Sequence, residues 1–81
     1  MKSYLRFYGH LRKYNHNLEE HCQSIYILDI NETTTVKDLY FILGIKETEV
    51  MIVDINGELV HQEATIKPES LVSFFPFVDG G

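Results

Sequence analysis

The sequence predicts an α+β domain: a small mixed sheet of four to five strands carrying one helix on a single face, in the order β-β-α-β-β-β. Three observations predict it. Residues 1–8 alternate like a strand, and Leu71 to Phe75 is a mostly apolar run with no helix period. Only one stretch, residues 36–43, has helical spacing of its apolar residues. Asn56-Gly57 stands between two apolar runs and is the sequence of a type I′ hairpin turn. Strands grouped around a single helix fit a two-layer domain.

Residues 1–8 read as the first strand. Ser3, Leu5 and Phe7 share the face better suited to the core, and Lys2, Tyr4, Arg6 and Tyr8 share the other. Gly9 to Lys13 end that strand. Residues 14–24 contain Asn15, His16, Asn17, Glu19, Glu20 and His21; they read as a loop too polar for the core, and their length implies mobility. Residues 24–30 form the second strand, with Tyr26, Leu28 and Ile30 on one face and Ile25, Ile27 and Asp29 on the other. Thr35 is a good N-cap, and Asp38 completes a capping-box pattern. Val36, Leu39, Tyr40 and Leu43 then form one helical stripe, stopped by Gly44, with Ile45 placed for the accompanying apolar contact. Residues 50–55 and 58–61 form the hairpin around Asn56-Gly57, and 62–70 connect to a last strand at 71–75. Pro76 falls just after that strand, having no N–H to give, so the strand can lie inside the sheet, parallel to the first. The expected core is Leu5, Phe7, Leu28, Ile30, Val36, Leu39, Leu43, Val53, Val72 and Phe74.

Eighty-one residues make one domain, divided here into 1–76 and a flexible tail, 77–81. No apolar run approaches the ~20 residues of a membrane helix. Residues 1–8 already alternate like a strand, so no signal peptide is expected and a cytoplasmic location follows. A net charge of −5 argues against a nucleic-acid partner and agrees with a basic protein surface. Cys22 is the only cysteine, which excludes an internal disulfide.

The chemistry is concentrated at the end of the sequence. Phe77, Val78, Asp79, Gly80 and Gly81 follow the last strand, and the two glycines have no side chain to pack. A Gly-Gly end can thread a channel that any Cβ would block and present an unhindered carboxylate. Attack of that carboxylate on the α-phosphate of ATP gives an acyl-adenylate, from which a sulfur or amine nucleophile displaces AMP. The competing reading is a chain that merely ends in glycine. The strand and the apolar Phe-Pro-Phe-Val run that lead into Asp79-Gly80-Gly81 favour the first.

Phe74-Phe75-Pro76-Phe77-Val78-Asp79-Gly80-Gly81 resembles the Phe-Phe-Pro-Pro-Val-Ala-Gly-Gly end of MoaD-like sulfur carriers, the small subunit of molybdopterin synthase. Phe7-Tyr8-Gly9-His10-Leu11-Arg12, Thr35-Val36-Lys37-Asp38-Leu39 and Ile55-Asn56-Gly57 resemble their first strand, helix start and turn. The resemblance is to the MoaD/ThiS superfamily and implies a β-grasp, ubiquitin-like fold. It implies that Gly81 is adenylated by a ubiquitin-activating-type adenylyltransferase, which uses the ATP, and converted to a thiocarboxylate by a sulfurtransferase. Sulfur would then pass to a synthase large subunit or another acceptor, for molybdopterin, its tungsten counterpart or thiamine. Gly80 would keep the approach narrow, and the carrier would have no active site and no bound cofactor of its own. Phe77 replaces the second proline of the pattern, and Asp79 replaces a small neutral residue. A carboxylate entering a channel requires a Lys or Arg in the partner opposite Asp79.

Tyr4, Tyr8 and Phe75 are expected to share the outer sheet face with Ile25 and Ile27, either as a docking surface for the activating enzyme and acceptor or as rings packed only on one another. With Phe75, the partner contacts would include Pro76, Phe77, Val78 and Asp79. His10, His16, His21 and Cys22 match no metal-ligand spacing and read as a solvated loop, and Cys22 has no argued base beside it. Glu19-Glu20 and Glu47-Thr48-Glu49 read as solvated turns. Three functions remain open: a sulfur carrier, a ubiquitin-like modifier joined to lysines through Gly81, and a binding-only β-grasp module. The tail has no basic residue, unlike the end of ubiquitin, which favours the carrier over the modifier.

Overall fold

The computed structural model describes residues 1–15 and 25–77. Five strands and one α-helix follow the order read from the sequence: β1 (Lys2–Phe7), β2 (Ile25–Asp29), α1 (Val36–Leu43), β3 (Val50–Ile55), β4 (Glu58–Val60) and β5 (Leu71–Pro76). Short 3-10 helices at Gly9–Tyr14 and Glu47–Glu49 join them. The sheet order is β2-β1-β5-β3-β4. β1 and β5 are parallel; every other neighbouring pair is antiparallel. This is the β-grasp, ubiquitin-like arrangement. The last strand lies in the middle of the sheet because the connection through α1, β3 and β4 is long enough to return it parallel to the first.

Residues paired directly across strands share a face. Ser3, Leu5 and Phe7 therefore line up with Leu28 and Tyr26 on β2 and with Val72 and Phe74 on β5. α1 covers this face with the predicted stripe, Val36, Leu39, Tyr40 and Leu43, all buried. Burying each large apolar side chain stabilises by about 1.5–3 kcal/mol, so packing and not propensity holds this eight-residue helix. Both of its ends have the predicted chemistry. Thr35 and Asp38 form a reciprocal capping box, and Gly44 closes the helix in the left-handed region at φ 71°. The backbone N–H of Ile45 bonds to the Tyr40 carbonyl at 2.8 Å, and Ile45 is buried. In the β3–β4 turn, Asn56 and Gly57 have φ of 53° and 90°. The Asn56 side chain also accepts from the backbone N–H of Leu71 at 2.9 Å, tying the turn to the start of β5.

The expected core forms, with Leu28 only half-buried against it. The structure adds Leu11, Tyr40, Ile45, Val50 and Ile66. Two readings need correction. Residues 14–24 are not uniformly outside the core: Tyr14 ends the first 3-10 helix and packs on the core, and Asn15 is buried. Leu11 and Tyr14 are three apart, the spacing that places side chains on one side of a 3-10 helix. The expected mobility of that loop concerns residues 16–24, which lie outside the described residues. Secondly, Glu49 is not a freely solvated turn residue. It accepts from the Tyr14 hydroxyl at 2.5 Å and from Lys13 Nζ at 3.1 Å, joining the two 3-10 helices. Pro76 also differs slightly from expectation: it is the last residue of β5, opposite Val50, and not the first beyond it.

Replacing Thr35 by Ala removes the oxygen that caps Asp38 N–H and is expected to lower stability by about 1 kcal/mol; urea denaturation with an unchanged m-value measures it. A second expectation concerns pH. The Tyr14 hydroxyl, then Lys13, and more distantly His10, hold the Glu49 carboxyl below its ordinary value. A depressed folded-state value contributes stability above the unfolded carboxylate value and loses it as pH falls through the folded one. Wild type is therefore expected to lose more stability than Glu49→Gln between about pH 6 and pH 3, measured by denaturant titration at each pH.

Candidate functional site

The candidate site begins where β5 leaves the sheet. Residues 78–81, which include Val78, Asp79, Gly80 and Gly81, lie outside the described residues; the described part reaches Phe77. Because β5 is bonded on both sides, by β1 and by β3, its end is set by two ladders. On the inner face, Phe74 stacks on Phe7 with ring centroids 5.0 Å apart and 12° between the planes. One residue further, on the outer face, Phe75 stacks on Tyr8 at 4.6 Å and 7°. Tyr8 is extended and donates its backbone N–H to the Phe74 carbonyl at 3.1 Å, so it prolongs the β1–β5 pairing past the end of β1.

Gly9 then turns the chain away at φ 58°, a conformation that favours glycine. It also lies against the Pro76 ring: a Cβ at this position would come 2.9 Å from Pro76 Cγ. Pro76 thus has the Gly9 backbone beside it and Val50 opposite it on β3. A bulge between Val50 and Ile52 interrupts the β3–β5 register at this same end of the sheet. Phe77 emerges half exposed, at 52%.

The predicted outer-face residues come together through register. Tyr4 stands between Ile27 on β2 and Leu71 on β5. Arg6 stands between Ile25 and Ser73, and Asp54 lies beyond Ser73 on β3. Phe75 pairs with Ile52. The face therefore carries two apolar rows separated by a row holding one cation and one anion. Ile27 is 50% exposed, and Ile25 and Tyr8 are each 37% exposed. Tyr4 and Phe75 are half-buried. The rings are thus partly packed on one another, and the apolar surface between them remains open. Arg6 is tied to this arrangement, its guanidinium carbon 5.8 Å from the Tyr8 ring centroid and its Nη1 donating to the Tyr8 hydroxyl at 3.4 Å. Tyr4 donates its hydroxyl to Glu69 at 3.3 Å.

Sequence reasoning missed Gly9 and Arg6 as parts of this site. Gly9 read as a strand end and as part of a family-like run, although a glycine directly after an aromatic pair was a signal for a close backbone approach. Arg6 could have been found from its place two residues before Tyr8 on the same face. His10 stands in the first 3-10 helix, whereas His16, His21 and Cys22 lie outside the described residues. Among the described residues, no group of three or more His, Cys, Asp or Glu side chains could hold a metal ion. No described helix is long and apolar enough to cross a membrane.

Solved structures with the same fold include small archaeal modifier protein 1 of Haloferax volcanii, at 16% identity over 95% of this chain and 98% of that one, with a TM-score of 0.71. A putative molybdopterin converting factor, subunit 1, from Pyrococcus furiosus has 18% identity over 95% and 98%, with a TM-score of 0.69. A third is found in the complex of subunits 1 and 2 of the molybdopterin-converting factor from Helicobacter pylori 26695, at 23% identity over the whole of both chains and a TM-score of 0.61. At these identities the likeness establishes the fold. No curated protein matches by sequence. The sequence profile of the ThiS family, however, matches residues 5–81, running from β1 through the exit of β5 to the last glycine, and the chain belongs to the ThiS family.

Proposed function

We propose that this protein is a sulfur carrier working through the carboxyl group of Gly81. The observation that carries the reading is the exit itself. The segment that ends in Gly80-Gly81 starts from the central strand of the sheet, between an aromatic stack and the Gly9–Pro76 contact. It emerges beside an open apolar face. This arrangement suits a domain that docks by its sheet and extends a side-chain-free end into another protein.

The chemistry proceeds in two steps. A Gly81 carboxylate oxygen attacks the α-phosphorus of ATP, and pyrophosphate leaves. Sulfide then attacks the acyl carbon, and AMP leaves with the oxygen it shared, giving a thiocarboxylate; where a sulfurtransferase persulfide attacks instead, the product is an acyl disulfide, and a thiol cleaves it, releasing the thiocarboxylate and leaving as the mixed disulfide with the sulfurtransferase. Both steps need an activating adenylyltransferase, and the second needs a sulfurtransferase or sulfide. The domain supplies docking and reach; the reacting groups other than Gly81 belong to its partners. Tyr4, Tyr8, Phe75, Pro76 and Phe77 are the docking residues on the described side, followed by Val78 and Asp79. The subunit 1–subunit 2 complex from Helicobacter pylori supports a synthase large subunit as the acceptor. Pterin cofactor synthesis is the destination favoured by the two molybdopterin-factor likenesses.

A second reading has one observation in its favour. The likeness to an archaeal modifier protein has a TM-score of 0.71, against 0.69 and 0.61 for the molybdopterin factors, so a ubiquitin-like modifier shares the fold equally well. The two readings share adenylation and diverge at the nucleophile: sulfur in one, a lysine amine in the other.

Intact mass after incubation with ATP, a sulfide source and the activating enzyme from the same cell separates them. The carrier is expected to gain the difference between sulfur and oxygen, and to lose that gain when Gly81 is deleted. Thiol-stable adducts on lysines of other proteins, without the sulfur gain, would instead establish the modifier. An unchanged mass, with the enzyme shown competent on its own carrier, would leave a binding module.

A further inference from the structure

We propose that Arg6 and Asp54 together read the charge of a partner: the activating enzyme meets the outer face with apolar surface that carries a carboxylate opposite Arg6 and a lysine or arginine opposite Asp54. This rests on the reading that Gly81 is activated, and it deepens that reading by naming the chemistry of the enzyme's surface.

The row that holds both residues crosses the sheet as Ile25, Arg6, Ser73, Asp54 and Leu59. Ile27, Tyr4 and Leu71 flank it on the side away from the exit of β5, and the Tyr8–Phe75 stack with Ile52 flanks it on the exit side. Arg6 and Asp54 are each half-buried. Two strand spacings, about 10 Å, separate their backbones. They form no ion pair with each other; among the described residues the one ion pair is Lys13–Glu49. Arg6 donates from Nη1 to the Tyr8 hydroxyl and lies beside the Tyr8 ring, which holds its guanidinium within the apolar surface. A guanidinium has five N–H donors, so most of its capacity faces outward. Asp54 has no hydrogen-bond or ion-pair partner among the described residues. Lys2 and Asp29 differ, because they stand opposite each other at the far end of the same face.

Charges are depleted at the centre of protein interfaces, since each loses water on docking. A partner that covers this row with apolar groups alone strands both charges. One that supplies the opposite charge at each position is selected over it. Apolar rows lie on both sides of the charged one, so apolar contact alone fits a partner almost as well after half a turn about the sheet normal. In the turned arrangement the partner's carboxylate meets Asp54 and its cation meets Arg6. The pair therefore admits one orientation and rejects the other. A competing role is solubility, in which charges on an open apolar face oppose self-association and read nothing. Exchanging the two charges separates these roles, because it preserves the net charge and reverses the pattern.

The test measures the Kd of the full chain for the activating enzyme from the same cell by titration calorimetry, beside ATP–pyrophosphate exchange as a function of carrier concentration. The variants are Arg6→Gln, Arg6→Lys, Asp54→Asn and the double variant Arg6→Asp/Asp54→Arg. Circular dichroism and sedimentation confirm that each keeps the fold and oligomeric state of wild type. Arg6→Gln and Asp54→Asn are each expected to raise Kd about tenfold, and the exchanged variant about a hundredfold. Arg6→Lys, which keeps the charge, is expected to stay within about threefold of wild type. An exchanged variant that binds as wild type does, or neutral variants within about twofold of it, would overturn the proposal and leave the charges to solubility. If the exchanged variant does not fold, the two neutral variants decide by the same criterion. Unchanged affinity for the enzyme, with weakened binding to a synthase large subunit, would assign the charges to the acceptor and likewise overturn the proposal. Wild type that neither binds nor supports exchange, with an enzyme competent on its own carrier, overturns the activation of Gly81 and this proposal with it. Wild-type exchange combined with an exchanged variant of equal affinity overturns the charge reading alone.

Discussion

The structure depends on the parallel pairing of β1 with β5. It joins the two ends of the described chain, and every other element is placed by it: β2 lies outside β1, β3 outside β5, and α1 fills the crossover between them. Its register is recorded in aromatic residues. Phe7 pairs with Phe74 and stacks on it in the core, and the residues that follow, Tyr8 and Phe75, stack on the opposite face. Because side chains alternate across a strand, a slip of one residue would turn Phe7 or Phe74 out of the core and bring Tyr8 or Phe75 into it. The two stacks therefore reinforce one register from both faces, at the end of the sheet where the tail begins.

Much of this was legible because local chemistry and tertiary packing agree. The Thr35–Asp38 box, the Gly44 stop and the Asn56-Gly57 turn each have a local physical cause, and each occurs as read. The alternation in residues 1–8 and 24–30 assigned both faces of β1 and β2 correctly, since strand period is a strong constraint when one face is buried. What the sequence hid was contact between distant segments. Leu11, Tyr14 and Ile66 are isolated apolar residues in polar surroundings, and nothing local shows that the core reaches them. Glu49 read as a solvated acid because its partners, Lys13 and Tyr14, lie more than thirty residues away. At the exit, the aromatic residues could be placed on a face, but the Tyr8–Phe75 stack and the Gly9–Pro76 approach depend on a register that no single strand specifies.

The charges on the outer face also follow from this topology. Arg6 and Asp54 stand on either side of Ser73, which is itself buried between them on β5. Above and below that row the face is apolar, from Ile27 and Tyr4 on one side to Tyr8, Phe75 and Ile52 on the other. Apolar area supplies affinity without orientation, whereas one cation and one anion at fixed positions favour a single orientation of a partner.

Reach then links the face to the tail. A fully extended chain spans at most about 3.3–3.6 Å per residue, so the five residues after Pro76 carry the Gly81 carboxyl no further than about 18 Å from the sheet. Under the carrier reading, a partner's reacting centre lies within that distance of the end of β5. The outer face adjoins that exit: Tyr8, Phe75 and Ile52 sit at it, and Tyr4, Ile25 and Ile27 continue from it. The exposed Phe41 and Ile42 on α1 belong to the layer on the other side of the sheet and stand away from this route. Under the carrier reading, the short tail favours docking by the outer face, the surface that adjoins the exit of β5.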